Sequence, residues 1–256
     1  MQFHAQPARA ARLRGALKHH WVQKRPGFAS MASSSASQMG QNFNGAGISL
    51  FLQILGGNKE LAIPHLEVPD ISHINWRSLR NAGYKGILFD KDNTLTEPYK
   101  LGLDAKIAAS VADCKEVFGD KIVLYSNSAG LLEYDPQGEE ASLLEAALGI
   151  HVLRHAEKKP AGGSVVVEQY FGCASHELVM VGDRYLTDVV FGNRLGMLTV
   201  RPSPLTTQGE PFGVLLARRV EEYFVQKWVS KGIKAPTRSE KTCGSLQTFS
   251  DFLIQK

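Results

Sequence analysis

Five short apolar runs, each closing on a polar residue, recur through the middle of the chain. They are "KGILFD" ending at Asp90, "KIVLYSN" at Asn127, "IHVLR" at Arg154, "LVMVGD" at Asp183 and "MLTVR" at Arg201. Nearly continuous apolar runs of this length mark strands buried on both faces. The intervals between them carry helical spacing. Ile107, Val111, Cys114 and Phe118 recur at steps of four, three and four, with Gly119 placed for a C-terminal cap. "GEEASLLEAALG" puts acids in a first turn and Gly149 after the last. "PAGGSVVVEQYFG" predicts a helix opening at Pro160 and closing at Gly172, and "TDVVFGNRLG" one closing at Gly196. Strand and helix in alternation predict an α/β fold, a doubly wound and mostly parallel sheet with flanking helices.

Such sheets bind ligands outside the carboxyl ends of their strands. That rule gathers Asp90, Asp92, Ser126, Asn127 and Asp183 on one rim. Asp90 and Asp92 are the most constraining pair, because two carboxylates at the mouth of a buried strand repel each other and each loses hydration. A cation, or a reaction that uses both acids, makes the arrangement tolerable. A lone Asp at a strand end is more simply a turn former or helix cap, and for Asp188 that reading weighs as much as a functional one.

Order and spacing then carry a resemblance. "DKDNT" at 90–94 resembles the DxDxT signature of the haloacid dehalogenase superfamily of phosphatases. Ser126 in "VLYSN", Lys159 in "KKPAGG", and Asp183 with Asp188 in "VGDRYLTD" are similar to its remaining motifs. The resemblance implies that Asp90 is the nucleophile and Asp92 the general acid and base. Ser126 would grip the phosphoryl group, and Lys159 would pair with Asp90 and the phosphate. It also implies a Mg²⁺ site formed by Asp90, Asp92 through its main-chain carbonyl, and Asp183, with Asp188 steadying the shell. Thr94, Asn127, Lys158 and Arg184 are expected near the substrate, and Arg154 and His155 are further candidates for a second phosphate. Longer stretches, "PHLEVPDI", "FDKDNTLT", "YSNSAG", "LRHAEKKPAG", "VGDRYLTDVVFGNRLGMLTV" and "EPF", resemble the organellar phosphatidylglycerophosphate phosphatases, the green-plant form in particular. That family hydrolyses phosphatidylglycerophosphate to phosphatidylglycerol.

About thirty residues separate Thr94 from Ser126, and Ser126 from Lys159. Neither interval has room for a lid domain, so a capless Rossmann-like domain with an open site is expected, suited to a phosphate displayed on something large. Substrates other than the lipid (a phosphoprotein, a nucleic-acid end, a sugar phosphate) share the same catalytic motifs. A non-catalytic binding protein on this fold is a further alternative, disfavoured because both members of the Asp90/Asp92 pair are present.

Charge is distributed unevenly. Of 29 Lys and Arg, seven fall in residues 1–59, where no Asp or Glu occurs, and the remaining 22 face 25 acids. The overall charge of +4 therefore belongs to an Ala-, Arg- and Ser-rich tail, the composition of an organellar transit peptide. Chloroplast is favoured by the green-plant resemblance, with mitochondrion the alternative, and no nucleic-acid or obligate protein partner is expected. The expected organisation is a tail over 1–43, an extension over 44–83, the phosphatase domain over 84–235 and a C-terminal tail over 236–256. Three separated cysteines, Cys114, Cys173 and Cys243, suggest neither a disulfide framework nor zinc.

No run is long enough to span a bilayer. Peripheral contact with an anionic membrane surface is expected instead. "ISLFLQIL" at 48–55 is one candidate for it. The other is a C-terminal helix bearing Leu216, Val220, Phe224 and Trp228 along one side, a stripe that packing against the sheet explains better for Val220 and Phe224, with Arg218, Arg219, Lys227, Lys231 and Lys234 as the basic residues suited to headgroups.

Overall fold

The computed structural model describes residues 53–54, 56–238 and 249–254. The expected transit segment 1–43 lies outside the described residues, as does the 48–55 run apart from Gln53 and Ile54.

The five apolar runs form strands: β2 (Gly86–Phe89), β3 (Ile122–Leu124), β4 (His151–Val152), β5 (Leu178–Val181) and β6 (Leu198–Pro202). A sixth strand, β1 (Leu66–Val68), precedes them. The order across the sheet is β1-β6-β5-β2-β3-β4, and every neighbouring pair is parallel. From β2 the chain winds outward through β3 and β4, then returns to β5 on the other flank of β2. The winding direction thus reverses between β2 and β5, where a doubly wound sheet opens a crevice.

Helices α1 (Trp76–Asn81), α2 (Ala108–Phe118), α3 (Glu139–Leu148), α4 (Val165–Phe171), α5 (Val190–Arg194) and α6 (Phe212–Val229) accompany the sheet. The periodic residues Ile107, Val111, Cys114 and Phe118 are buried along α2, and α3 ends at Gly149 in the left-handed conformation. One helix fills the interval between Thr94 and Ser126, and one fills that between Ser126 and Lys159.

Five features depart from the sequence reading, the last of them at the C-terminus. Strand β1 sits inside the expected extension 44–83. Pro64 and Pro69 flank three residues too short to show a period, yet a strand bounded by prolines is suited to a sheet edge. Helix α4 begins at Val165 rather than at Pro160. "TDVVFGNRLG" divides into a π-helical stretch, Tyr185–Val189, and α5, a sharp turn that swings Asp188 inward. The stripe read on α6 also divides: Val225 and Trp228 are buried, Phe224 packs beside Trp228, but Leu216 and Val220 face solvent.

Part of the expected C-terminal tail belongs to the core. Phe252 is fully buried and meets Tyr84 edge-on at 6.0 Å. Its carbonyl accepts from the Asn75 N–H at 2.8 Å, and the Ile254 N–H donates to His73 O at 2.8 Å. The segment therefore braces the loop that follows β1. Phe252→Ala is expected to cost about 3 kcal/mol, the transfer of the ring plus the cavity it leaves. Urea unfolding monitored by circular dichroism checks this.

Candidate active site

Three carboxylates and one ammonium meet at the reversal of winding. Phe89 pairs with Val181 in the β2–β5 register, and the Asp90 N–H donates to Val181 O at 2.9 Å, so the two strands deliver Asp90 and, one residue further along, Asp183 to the same rim. Asp188 reaches the same point because Gly182 lies beneath it. A Cβ at Gly182 would stand 2.4 Å from Asp188 Cγ, well inside contact distance. Oxygens of Asp90, Asp183 and Asp188 all lie within 4.8 Å of one another.

Lys159 supplies the countercharge. Its Nζ donates to Asp90 Oδ1 at 2.7 Å and to Asp188 Oδ1 at 2.6 Å, and its side chain is 1% exposed. Burial alone would lower its pKa, but Asp188 and then Asp90 outweigh that and hold it above the ordinary lysine value. Its main chain is clamped by Asn127, whose Oδ1 accepts from the Lys159 N–H at 2.7 Å while Nδ2 donates to Lys159 O at 3.1 Å.

The acids differ in how they are satisfied. Asp188 uses both oxygens, Oδ1 on Lys159 and Oδ2 on the Arg184 N–H at 3.1 Å. Asp183 is buried, yet neither of its oxygens accepts a hydrogen bond among the described residues. Arg218 Nη2 approaches Oδ2 to 2.6 Å as an ion-pair contact lacking hydrogen-bond alignment. Burial, opposed by Arg218, pushes the Asp183 pKa up to about 7. A buried carboxylate with unused lone pairs, grouped with two other acids, fits the donor set that a hard divalent cation takes.

Asp92 is turned differently. Its Oδ1 meets Lys91 Nζ at 2.6 Å and accepts from the Tyr99 N–H at 2.8 Å. Burial raises its pKa, Lys91 opposes this, and the neighbouring Asp90 adds to the rise. Asn93, between the acid and Thr94, adopts a left-handed φ of 61°, a conformation Asn tolerates better than most residues. Its Oδ1 accepts from the Thr206 N–H at 3.0 Å and its Nδ2 donates to Glu210 Oε1 at 2.7 Å. Glu210 in turn holds Arg218 through Nε and Nη2. A polar chain thus runs from the loop after β2, through Glu210 and Arg218, back to Asp183.

Residues 46–205 match the family model described as mitochondrial PGP phosphatase, PGP being phosphatidylglycerophosphate. Phosphatidylglycerophosphate phosphatase 1, chloroplastic, of Chlamydomonas reinhardtii is 58% identical over 210 residues, covering 81% of this chain and 78% of that protein. The chain belongs to the PGP phosphatase family. The chloroplastic/mitochondrial phosphatidylglycerophosphate phosphatase 1 of Arabidopsis thaliana is 47% identical over 196 residues, 77% of this chain and 56% of that longer protein. A mitochondrial phosphatidylglycerophosphatase of Saccharomyces cerevisiae is 30% identical over 148 residues, 54% of this chain and 76% of that one.

Within this PGP phosphatase domain several residues expected near the substrate have other partners. Asn127 is bound at both ends of its amide to the Lys159 main chain. Lys158 meets Tyr134 and, at 3.3 Å, Glu133. Arg184 is bound to Glu221. Arg154 is engaged by Glu145 and Val152 O. Both ring nitrogens of His155 face carbonyls, Ser126 O at 2.8 Å and Glu157 O at 2.7 Å. Lys158, Arg184, Arg154 and His155 are thus each engaged by a partner among the described residues. Thr94 is buried, and its hydroxyl makes no hydrogen bond among the described residues. Ser126 Oγ lies 3.0 Å from Ser128 Oγ and accepts from the Ser128 N–H at 3.2 Å. Arg218 was read as a headgroup contact, but it faces Asp183 and Glu210.

Sequence reasoning missed Arg218, Glu210, Asn93 and Gly182 as parts of the site. Only Gly182 and Asn93 carried a local signal, a glycine and an Asn inside motif loops. Gly182→Ala is expected to displace Asp188 from Lys159, costing about 1–3 kcal/mol in stability as an overpacked site does and reducing turnover. Thermal unfolding and a phosphate-release assay check both. A second expectation concerns pH. Because the folded-state pKa of Asp183 is raised, the metal-free protein is destabilised as pH rises from the ordinary Asp value of 3.8 to about 7. Metal-free Asp183→Asn should therefore gain stability over the native protein above that window and not below it, as measured by urea titration in EDTA.

Proposed function

We propose that the chain hydrolyses the terminal phosphomonoester of phosphatidylglycerophosphate to give phosphatidylglycerol, with Asp90 as the nucleophile. The observation that carries this reading is Lys159 lying buried between Asp90 and Asp188 beside an unsatisfied Asp183. That arrangement aims one carboxylate and leaves another with unused lone pairs for a cation. The chain's membership of the PGP phosphatase family, and the lipid phosphatase names of its relatives, support the substrate.

In this proposal Lys159 fixes Asp90 through Oδ1, and Oδ2 attacks phosphorus. The bond from phosphorus to the glycerol oxygen breaks as Asp92 gives that oxygen its proton, forming an aspartyl-phosphate. Asp92, now a carboxylate, takes a proton from water as the water oxygen attacks phosphorus, and the bond to Asp90 breaks. The raised pKa of Asp92 favours the proton it needs in the first step, and contact with Lys91 favours the carboxylate it needs in the second. The Ser126 hydroxyl binds a phosphoryl oxygen. Mg²⁺, held by Asp90, Asp183 and the Asp92 main-chain carbonyl, would supply the charge neutralisation that lets a carboxylate approach an anionic phosphate. Asp188 orients Lys159 through Oδ1 and would steady the metal shell.

One helix in each inter-motif interval leaves no room for a lid domain, which suits a substrate anchored in a bilayer. The plastid follows from the chloroplastic relatives, with the mitochondrion as the second possibility. The test compares Mg²⁺-dependent phosphate release from phosphatidylglycerophosphate in mixed micelles with release from soluble phosphomonoesters. The lipid is expected to be strongly preferred, and Asp90→Asn to lose at least about a thousandfold in turnover while keeping its circular dichroism. Equal turnover on soluble esters would remove the substrate assignment, and an active Asp90→Asn would remove the nucleophile.

A further inference from the structure

Helix α6 turns large apolar side chains away from the protein. Phe212, Leu216, Val220 and Tyr223 follow one another at steps of four, four and three, so they share one side of the helix. Phe212 is 76% exposed, Tyr223 61% and Leu216 50%. Among the described residues, exposed apolar side chains elsewhere, such as Leu143 on α3 and Val165 on α4, stand on separate helices and form no comparable row.

The opposite side of α6 fastens it to the domain. Val225 and Trp228 are buried beside Ile54, Val189 and Val190. Glu221 binds Arg184, and Arg218 binds Glu210 while contacting Asp183. The helix therefore keeps its place without help from its outer side chains.

Basic residues accompany the outward row. Arg219 and Lys227 are exposed on α6, with Lys227 Nζ 5.7 Å from the centre of the Tyr223 ring, and Lys231 and Lys234 follow the helix. Glu222 is the exposed acid on this helix. Aromatic and aliphatic side chains flanked by Lys and Arg match the interface of a bilayer carrying negative headgroups. The same helix forms one wall of a cavity of about 230 Å³ that Asp183, Tyr185 and Arg201 also line. A surface held by α6 would therefore stand beside the candidate metal ligand.

We propose that the outer face of α6 docks the protein on an anionic lipid bilayer, with Phe212, Leu216, Val220 and Tyr223 entering the interface and Arg219, Lys227, Lys231 and Lys234 meeting headgroups. The proposal deepens the lipid-phosphatase reading and rests on it for the reason a bilayer is the occupant. Vesicle binding is read without turnover, so the two can fail separately.

The experiment is co-sedimentation of the full chain with phosphatidylcholine vesicles, with and without phosphatidylglycerol. The native protein should sediment with the anionic vesicles and stay in solution with the neutral ones. The variant Phe212→Ser/Leu216→Ser/Tyr223→Ser should lose about tenfold or more in vesicle partitioning. Lys227→Glu/Lys231→Glu should lose about fivefold or more per charge, on anionic vesicles only. Both variants keep the basic stretch 1–59, so its contribution cancels in the comparison. Circular dichroism and hydrolysis of p-nitrophenyl phosphate should match the native protein, and the charge variant carries the test if the apolar one does not fold. Native-like vesicle binding by the folded apolar variant would overturn the proposal, as would native-like binding by the charge variant. A change of oligomeric state on light scattering with vesicle binding intact would assign the face to a second copy of the chain instead.

Discussion

Everything at the candidate site depends on placing positive charge among carboxylates that the sheet brings out of water. Adjacent parallel strands deliver Asp90 and Asp183 side by side, and a π-helical turn adds Asp188. Three acids so close, with two of them buried, are tolerable only with compensation. Two cations from opposite directions provide it: Lys159, from the loop after β4, and Arg218, from the last helix. They are not equivalent. Lys159 forms short, aligned hydrogen bonds to Asp90 and Asp188, whereas Arg218 touches Asp183 without alignment and is itself held by Glu210. The acid less well satisfied by protein is the one with lone pairs left for a metal.

The supporting structure follows from that demand. Lys159 reaches the rim because Asn127 grips its main chain on both sides, which ties the loop after β3 to the loop after β4. Asn93 does the same for the loop after β2, binding Thr206 N–H and Glu210. Polar side chains within the motifs thus act largely on backbone. Their fixed amides set loop geometry at low conformational freedom, and the loops then aim the charged groups.

The sheet was legible in the sequence because its central strands are buried on both faces and read as unbroken apolar runs. The acids and Lys159 were legible because motif order and strand ends converged on one rim. Strand β1 was not, since three residues at an edge show no periodicity. The roles expected for Lys158, Arg184, Arg154 and His155 came from their nearness to the rim in sequence, but each meets a partner supplied by a distant or neighbouring loop. Arg218 was assigned to the wrong side of its helix for a related reason. A helix bearing apolar residues most of the way round offers several plausible stripes, and only the packing of Val225 and Trp228 fixes its rotation. Long-range pairing of charges leaves no local trace.

The contact between Arg218 and Asp183 has a consequence for biogenesis. Synthesis runs from the N-terminus, so Asp90, Lys159 and Asp183 all exist before the residue that neutralises the last of them. Until α6 has been made and has settled, Asp183 stands at the crevice without its arginine, and the Glu210 tether to Asn93 is missing as well. A chain lacking α6 would thus hold Asp90, Lys159 and Asp183 without the framework that organises them.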